Sequence, residues 1–185
     1  MSGARVRPPA FETLYDESFD LVFRALQRFG VPESVLEDCV QDVFIVAFKK
    51  LETFEGRSAT STWLYGIAAH VARNARRTAR RWPETPTDRE VLERDRATEE
   101  KSPEANAEDA QAARLLYRLL EELDDDKREV FVLAELEQLT APEIAQSLGL
   151  NVNTVYARIR AARAAFDQAV SREHARTARR SPPCP

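Results

Sequence analysis

The sequence predicts an all-α protein, two small helical domains joined by an acidic flexible linker. Three observations support this. Apolar residues make up 43% of the chain and charged residues 31%, with only five glycines, a balance that favours helices over a turn-rich sheet protein. Apolar side chains recur at spacings of three and four in two separate blocks, the signature of helices with one buried face. Between the blocks, from Glu84 to Asp109, acids outnumber bases ten to four, large apolar side chains are few, and Pro86 and Pro103 interrupt the chain. Such a stretch buries too little to offset the entropy of its own ordering. A chain of 185 residues has room for two small units.

The first helix is predicted over Phe11 to Phe29, where Phe11, Leu14, Tyr15, Phe19, Val22, Leu26 and Phe29 keep helical spacing before Gly30 and Pro32 stop it. A second follows from Leu36 to Leu51. It is apolar nearly all round, because Cys39, Phe44, Ile45, Val46 and Phe48 add to the stripe of Leu36, Val40, Val43, Ala47 and Leu51. A helix of that kind needs cover on more than one side. The glycine-containing segment FEGRSA breaks the pattern, and Ser58, Thr60 or Ser61 can cap a third helix ending near Arg81, just before Pro83. Periodicity resumes at Leu115, Leu116, Leu119, Leu120 and Leu123 and continues in a short helix around Val130, Phe131 and Leu133. Asp124, Asp125 and Asp126 stand where the dipole of that short helix favours negative charge, so they are expected to cap it. Thr140-Ala141-Pro142-Glu143 is a capping box with proline in the first turn.

Several function classes lose support on composition alone. MSGARVRPP lacks the apolar core of a signal peptide, and no stretch approaches the roughly 20 apolar residues of a membrane span, so a cytoplasmic protein without membrane insertion is expected. Cys39 and Cys184 lie far apart and suggest reduced thiols; His70 and His174 complete no metal-ligand spacing, so no metal or cofactor is expected. There is no phosphate-binding glycine loop and no nucleophile-base constellation, and neither an enzyme nor a small-molecule substrate is expected. The net charge of −4 hides a strong asymmetry: Arg73, Arg76, Arg77, Arg80 and Arg81 crowd one segment and Arg158, Arg160 and Arg163 another. Local fields of this kind attract polyanions whatever the total charge.

The second basic segment belongs to a helix-turn-helix. Ile144 and Ala145 follow the capping box, Gly149 allows the positive φ of a tight turn, Asn151 caps the next helix, and Ile144, Leu148, Leu150 and Val155 fill the angle between the two helices. The face away from Val155 and Ile159 carries Asn153, Thr154, Tyr156, Ala157, Arg158, Arg160 and Arg163, types that contact base edges or phosphates. A plain helical hairpin with solvated arginines would share part of this pattern.

With these motifs in hand, the sequence resembles the bacterial sigma-70 family of RNA polymerase sigma factors, in its extracytoplasmic-function class. Three stretches carry the resemblance: LEDCVQDVFIVAFKKLETF at 36–54, STWLYGIAAHVARNARR at 61–77 and REVFVLAELEQLTAPEIAQSLGLNVNTVYARIRAAR at 128–163. The resemblance implies a transcription initiation factor that binds core RNA polymerase, through the β′ clamp helices and the β flap, directs it to promoter DNA and assists strand separation. It implies core binding by Asp38, Gln41, Asp42 and Phe44. It assigns minus-ten recognition to Arg57, Ser58, Thr62, Trp63, Arg73, Asn74, Arg76 and Arg77, and minus-thirty-five recognition to the exposed face of the last helix. An anti-sigma factor is a further partner it allows. Trp63 fits a core position better than a stacking platform, since an aromatic at a helix start commonly packs inward.

The implied organisation is a region 2-like domain at 10–82, the linker at 83–109, a region 4-like domain at 110–171 and a disordered basic tail at 172–185. In the family the linker threads through polymerase channels that RNA uses, a role for which its acids are suited. Departures from the family pattern include Thr60-Ser61 where Phe-Arg is frequent, Gly66 and His70 where Arg and Asn are frequent, Asp124 for a frequent proline, and Asn153 and Tyr156 for a frequent Gly and Lys. Two rival readings, a stand-alone helix-turn-helix regulator and a protein-binding adaptor, leave the apolar second helix or the arginine clusters unexplained.

Overall fold

A computed structural model describes residues 10–54, 56, 58–81 and 103–180, with side chains from 110 to 178 in the second block. All regular structure among the described residues is helical. The order is α1 (Phe11–Arg28), α2 (Leu36–Leu51) after a single 3-10 turn, α3 (Thr60–Arg81), α4 (Pro103–Glu121), α5 (Asp125–Phe131) running into a π-helical turn (Val132–Leu136), α6 (Ala141–Leu148) and α7 (Val152–Arg180).

The local signals operate as the sequence predicts. Gly30 at φ 78° ends α1, and Gly149 at φ 65° makes the turn between α6 and α7 in the left-handed region that glycine enters without strain. Asp124 caps α5 by accepting from the Lys127 amide at 2.9 Å. Thr140 and Glu143 form the capping box, with the Thr140 amide donating to the Glu143 carboxylate at 2.8 Å.

Helices α1, α2 and α3 pack against one another. Val22, Ala25, Leu26 and Phe29 of α1 meet Val40, Val43 and Ala47 of α2, and the buried alanines Ala68, Ala69 and Ala72 let α3 come close. The second group is built around Leu120, Val130, Val132, Leu133, Ile144, Val155 and Ala162. Each of the leucine, isoleucine and valine side chains, fully buried, contributes about 1.5–3 kcal/mol. The two groups are not separate bodies: α6 packs on α3 and α4 touches α1, and one apolar cluster runs through both.

Of the stretch assigned to the linker, residues 83–102 lie outside the described residues, and α4 begins at Pro103 and leads out of it into the second group of helices. One sequence expectation needs correction. The supposed disordered tail is helical to Arg180, because α7 continues past the buried Ala169 without a break. Arg172 pairs with Glu122, just past α4, at 2.6 Å and Arg118 of α4 with Glu173 at 3.2 Å, exposed pairs that add little stability but mark where α7 runs beside α4.

Candidate protein and nucleic-acid interfaces

Three faces gather the residues singled out in the sequence. The first is on α2. Asp38, Gln41 and Asp42 are exposed there, one turn apart, and the same stripe continues into Ile45 and Phe48. Phe48 is 61% exposed. Phe44 does not belong to the exposed stripe: at 3% exposure it lies beneath it, its ring 4.6 Å from Tyr15 and stacked against Phe19 at 6.5 Å. Its role is to support α2 from behind, and Ile45 and Phe48 are the apolar residues available to a partner. Helical periodicity missed this because nearly every face of α2 is apolar, so the sequence offers no contrast from which to orient it. Burial, with Asp42 and Asp38 nearby, raises the Cys39 thiol above its ordinary value and keeps it protonated.

The second face lies along α3. Arg57 lies outside the described residues, and Ser58 is half-exposed just ahead of the helix. Trp63 is half-buried, its ring centroid 4.9 Å from that of the half-exposed Phe54, at the edge of the core and with part of its surface open. Thr62 is buried, and its carbonyl accepts a hydrogen bond from the Ser147 hydroxyl of α6 at 3.0 Å, so its side chain is not on an outer surface. Asn74 and Arg77 are exposed, in contact with each other, and Asn74 also meets His70.

Arg73 and Arg76 have a different environment from the one the sequence implies. Both donate to Glu129 of α5, whose side chain is 0% exposed. Arg76 is 4% exposed, lies 2.8 Å from the Glu129 carboxylate and 3.1 Å from that of Asp125, and also donates to the Phe29 carbonyl. Arg80 reaches Asp125 at 2.9 Å. The bond to Glu129 raises the pKa of Arg73 further above its already high value. Nearby, Glu137 accepts from Arg28 of α1 and from the Tyr65 hydroxyl of α3. Burial first, and then this bond, push the Tyr65 hydroxyl far above its ordinary pKa, fixing it as a donor.

The sequence reading named none of Glu129, Glu137 or Arg128. Arg128 is buried and donates to the carbonyls of Leu120, Glu121 and Leu123 at and just past the end of α4, of which that of Leu120 also accepts from the Leu123 amide. Its guanidinium sits against Gly30, where a Cβ would come within 1.9 Å of it. A signal was available: Arg128 and Glu129 adjoin the apolar run VFVL, and charged residues seldom enter such surroundings unpaired.

The third face is the start of α7. Asn153, Thr154, Tyr156, Ala157, Arg160 and Arg163 are exposed, with Tyr156 at 55%, while Val155 and Ala162 are buried against the rest of the motif. Arg158 is half-exposed and paired with Asp126 at 2.8 Å, and Arg163 with Glu135 at 2.7 Å. The face is open, polar and cationic, and a helix presented this way can enter a major groove.

Comparison with known proteins gives matches to both halves of the chain. Residues 14–82 match the family model described as sigma-70 region 2, and residues 113–166 match that of sigma-70, region 4. The ECF RNA polymerase sigma-E factor of Escherichia coli strain K12 is 37% identical over 145 residues, covering 76% of each chain. The RNA polymerase sigma-H factor of Pseudomonas aeruginosa is 33% identical over 168 residues, covering 87% of this chain and 86% of that one. Among solved structures, CnrH in complex with the cytosolic domain of CnrY has a TM-score of 0.62 and 28% identity over 87% of both chains. RpoE of Bartonella quintana, solved with the anti-sigma factor NepR, shares the fold at a TM-score of 0.65 and 18% identity, covering 87% of this chain and 96% of that one.

Proposed function

Since this chain belongs to the extracytoplasmic-function class of the sigma-70 family, transcription initiation factors that direct RNA polymerase to promoters, we propose a division of labour among its three faces. The stripe Asp38, Gln41, Asp42, Ile45 and Phe48 on α2 docks core polymerase, with Phe44 holding it in place from inside. The cations of α3, with Ser58 and Arg57 ahead of it, contact the separated strands of the minus-ten region. The exposed start of α7 reads the minus-thirty-five element. Residues 14–82 act as the first domain and 113–166 as the second.

The observation that carries the reading of α2 is the exposed pair Ile45 and Phe48 continuous with two acids and a glutamine. An apolar patch edged with polar groups suits a protein interface, and among the described residues Phe11 meets the Phe48 ring while 61% of Phe48 stays exposed. For α7 it is the open polar face opposite Val155.

Sigma factors are not enzymes in general, and nucleotide chemistry in this reading belongs to the polymerase. Among the described residues no helix is long and apolar enough to cross a membrane. Action in the cytoplasm follows from the polymerase it serves. An anti-sigma partner belongs to this reading: RpoE of Bartonella quintana was solved with the anti-sigma factor NepR, and CnrH with the cytosolic domain of CnrY.

The deciding experiment is co-elution of the full chain with core RNA polymerase, wild type against the double variant Gln41→Ala, Asp42→Ala. Stable co-elution lost in the variant locates the interface on α2. Equal co-elution of both proteins refutes that placement, and duplex DNA binding without any polymerase binding would favour a stand-alone regulator.

A further inference from the structure

The side chains at the start of α7 differ in whether the protein already holds them. Arg158 is paired with Asp126 of α5 at 2.8 Å, and Arg163 with Glu135 of the π-helical turn at 2.7 Å. Each meets a single carboxylate oxygen, which leaves further N–H donors of the guanidinium free. The two arginines are five residues apart, about 140° around the axis at 3.6 residues per turn, so they flank the exposed face on opposite sides. Thr154 lies on the Arg158 side, lining with it the cleft against Asp124, Asp125 and Asp126. Asn153 and Tyr156 are held by nothing. Both are exposed, Tyr156 at 55%, and among the described residues neither side chain has a hydrogen-bond, ion-pair or ring partner. Their backbone is fixed all the same: the Asn151 side chain accepts from the Asn153 amide at 2.9 Å, and Val155 between them is fully buried. They stand in the first two turns of α7, the part of a recognition helix that meets base edges. Three residues advance a helix about 4.5 Å, close to the ~3.4 Å between successive base pairs. Asp167, exposed one turn past Arg163, turns a like charge towards any phosphate beyond it and ends the face.

We propose that Asn153 and Tyr156 set the base preference of this face: the Asn153 amide takes an adenine and the Tyr156 ring packs on a thymine methyl at the neighbouring base pair, so the chain selects two adjacent A·T pairs. The proposal rests on the reading of α7 as the minus-thirty-five helix and names the bases it reads. A carboxamide pairs one donor with one acceptor. In the major groove that pattern matches adenine alone, its N7 accepting from the Asn153 NH2 and its N6 amino group donating to the Asn153 carbonyl. An exposed ring with no cover in the protein gains by covering the thymine methyl, the one methyl group in that groove. Arg158 and Arg163, tied at the flanks, grip phosphates on either side of the groove, which fixes register without reading sequence.

The test reconstitutes the full chain with core RNA polymerase, captures bound duplexes from a pool with a randomised centre and sequences what is retained, with circular dichroism confirming that each variant is helical. Wild type is expected to enrich a motif in which two adjacent positions are A·T pairs, each preferred about tenfold. Asn153→Ala should lose the preference at one of them and Tyr156→Ala at the other, the remaining motif staying intact. Tyr156→Phe keeps the ring and should retain the thymine. Arg158→Ala and Arg163→Ala should weaken binding of all sequences alike. A pool retained with no enriched motif, a G·C pair preferred at either position, or loss of the thymine in Tyr156→Phe would overturn the assignment. Alanine variants of Asn153 and Tyr156 that bind more weakly with an unchanged motif would overturn it too, while leaving α7 as a DNA-contacting helix. Alanine at all four positions without effect on motif or affinity would overturn the reading of α7 itself.

Discussion

Replacing Phe48 by alanine tests whether the α2 stripe is a docking surface. A phenylalanine presents about 200 Å² of surface. At 61% exposure, roughly 120 Å² of it faces water in the free chain, and at ~25 cal/mol per Å² its complete burial by a partner is worth about 3 kcal/mol. Alanine keeps the Cβ, and an interface edge excludes water incompletely, so the loss should lie between about 1.5 and 3 kcal/mol, or roughly 10- to 150-fold in Kd. The ring contributes little to the fold itself, since its main partner is Phe11 at 5.0 Å on the same outer edge. Affinity for core polymerase should therefore fall while the urea midpoint hardly moves. The assay is a fluorescence titration of core polymerase into labelled full chain, with urea unfolding alongside. A Kd change below about threefold would refute the argument that this patch is covered on binding.

Other expectations follow from the same geometry. Arg128→Met keeps the volume but removes the donor to the Glu121 and Leu123 carbonyls and the second donor to that of Leu120, and should cost about 3 kcal/mol in urea unfolding; a cost below about 1 kcal/mol would mean that water replaces it. Arg160→Ala, on an exposed arginine of the α7 face, should weaken promoter duplex binding regardless of sequence and flatten the dependence of log K on log salt by about 1, measured by anisotropy at several salt concentrations. The side-chain and backbone bonds to Thr140 lower the Glu143 pKa, so the capping box stabilises above the ordinary glutamate value of 4.5 and loses that contribution as pH falls through the folded value. Thermal melts of wild type and Thr140→Ala should accordingly converge at low pH and separate towards neutrality, and parallel curves would count against the cap.

The amino-acid sequence by itself determined the local structure. Capping boxes, stop glycines and 3.6-residue periodicity act within a few residues, so α1, α2, α3, the α6–α7 motif and its Gly149 turn are all written where they occur. The orientation of the α7 face was equally legible, because Val155 and Ala162 contrast with the polar residues around them. Tertiary structure decided what depends on residues distant in the chain. Phe44 turned inward and Phe48 outward on a helix whose own pattern favours neither, since only α1's aromatic side chains select the face to be covered. Residues 172–180 continue α7, and Arg172 pairs there with Glu122, 50 positions earlier in the chain, a partner that spacing along the sequence does not announce. Arg76, one of a run of arginines with every appearance of a solvated cation, was buried because Glu129, 53 residues later, arrives with a carboxylate that satisfies it. A charge can enter an interior only where its partner is already placed, and that partner is fixed by packing rather than by spacing along the chain.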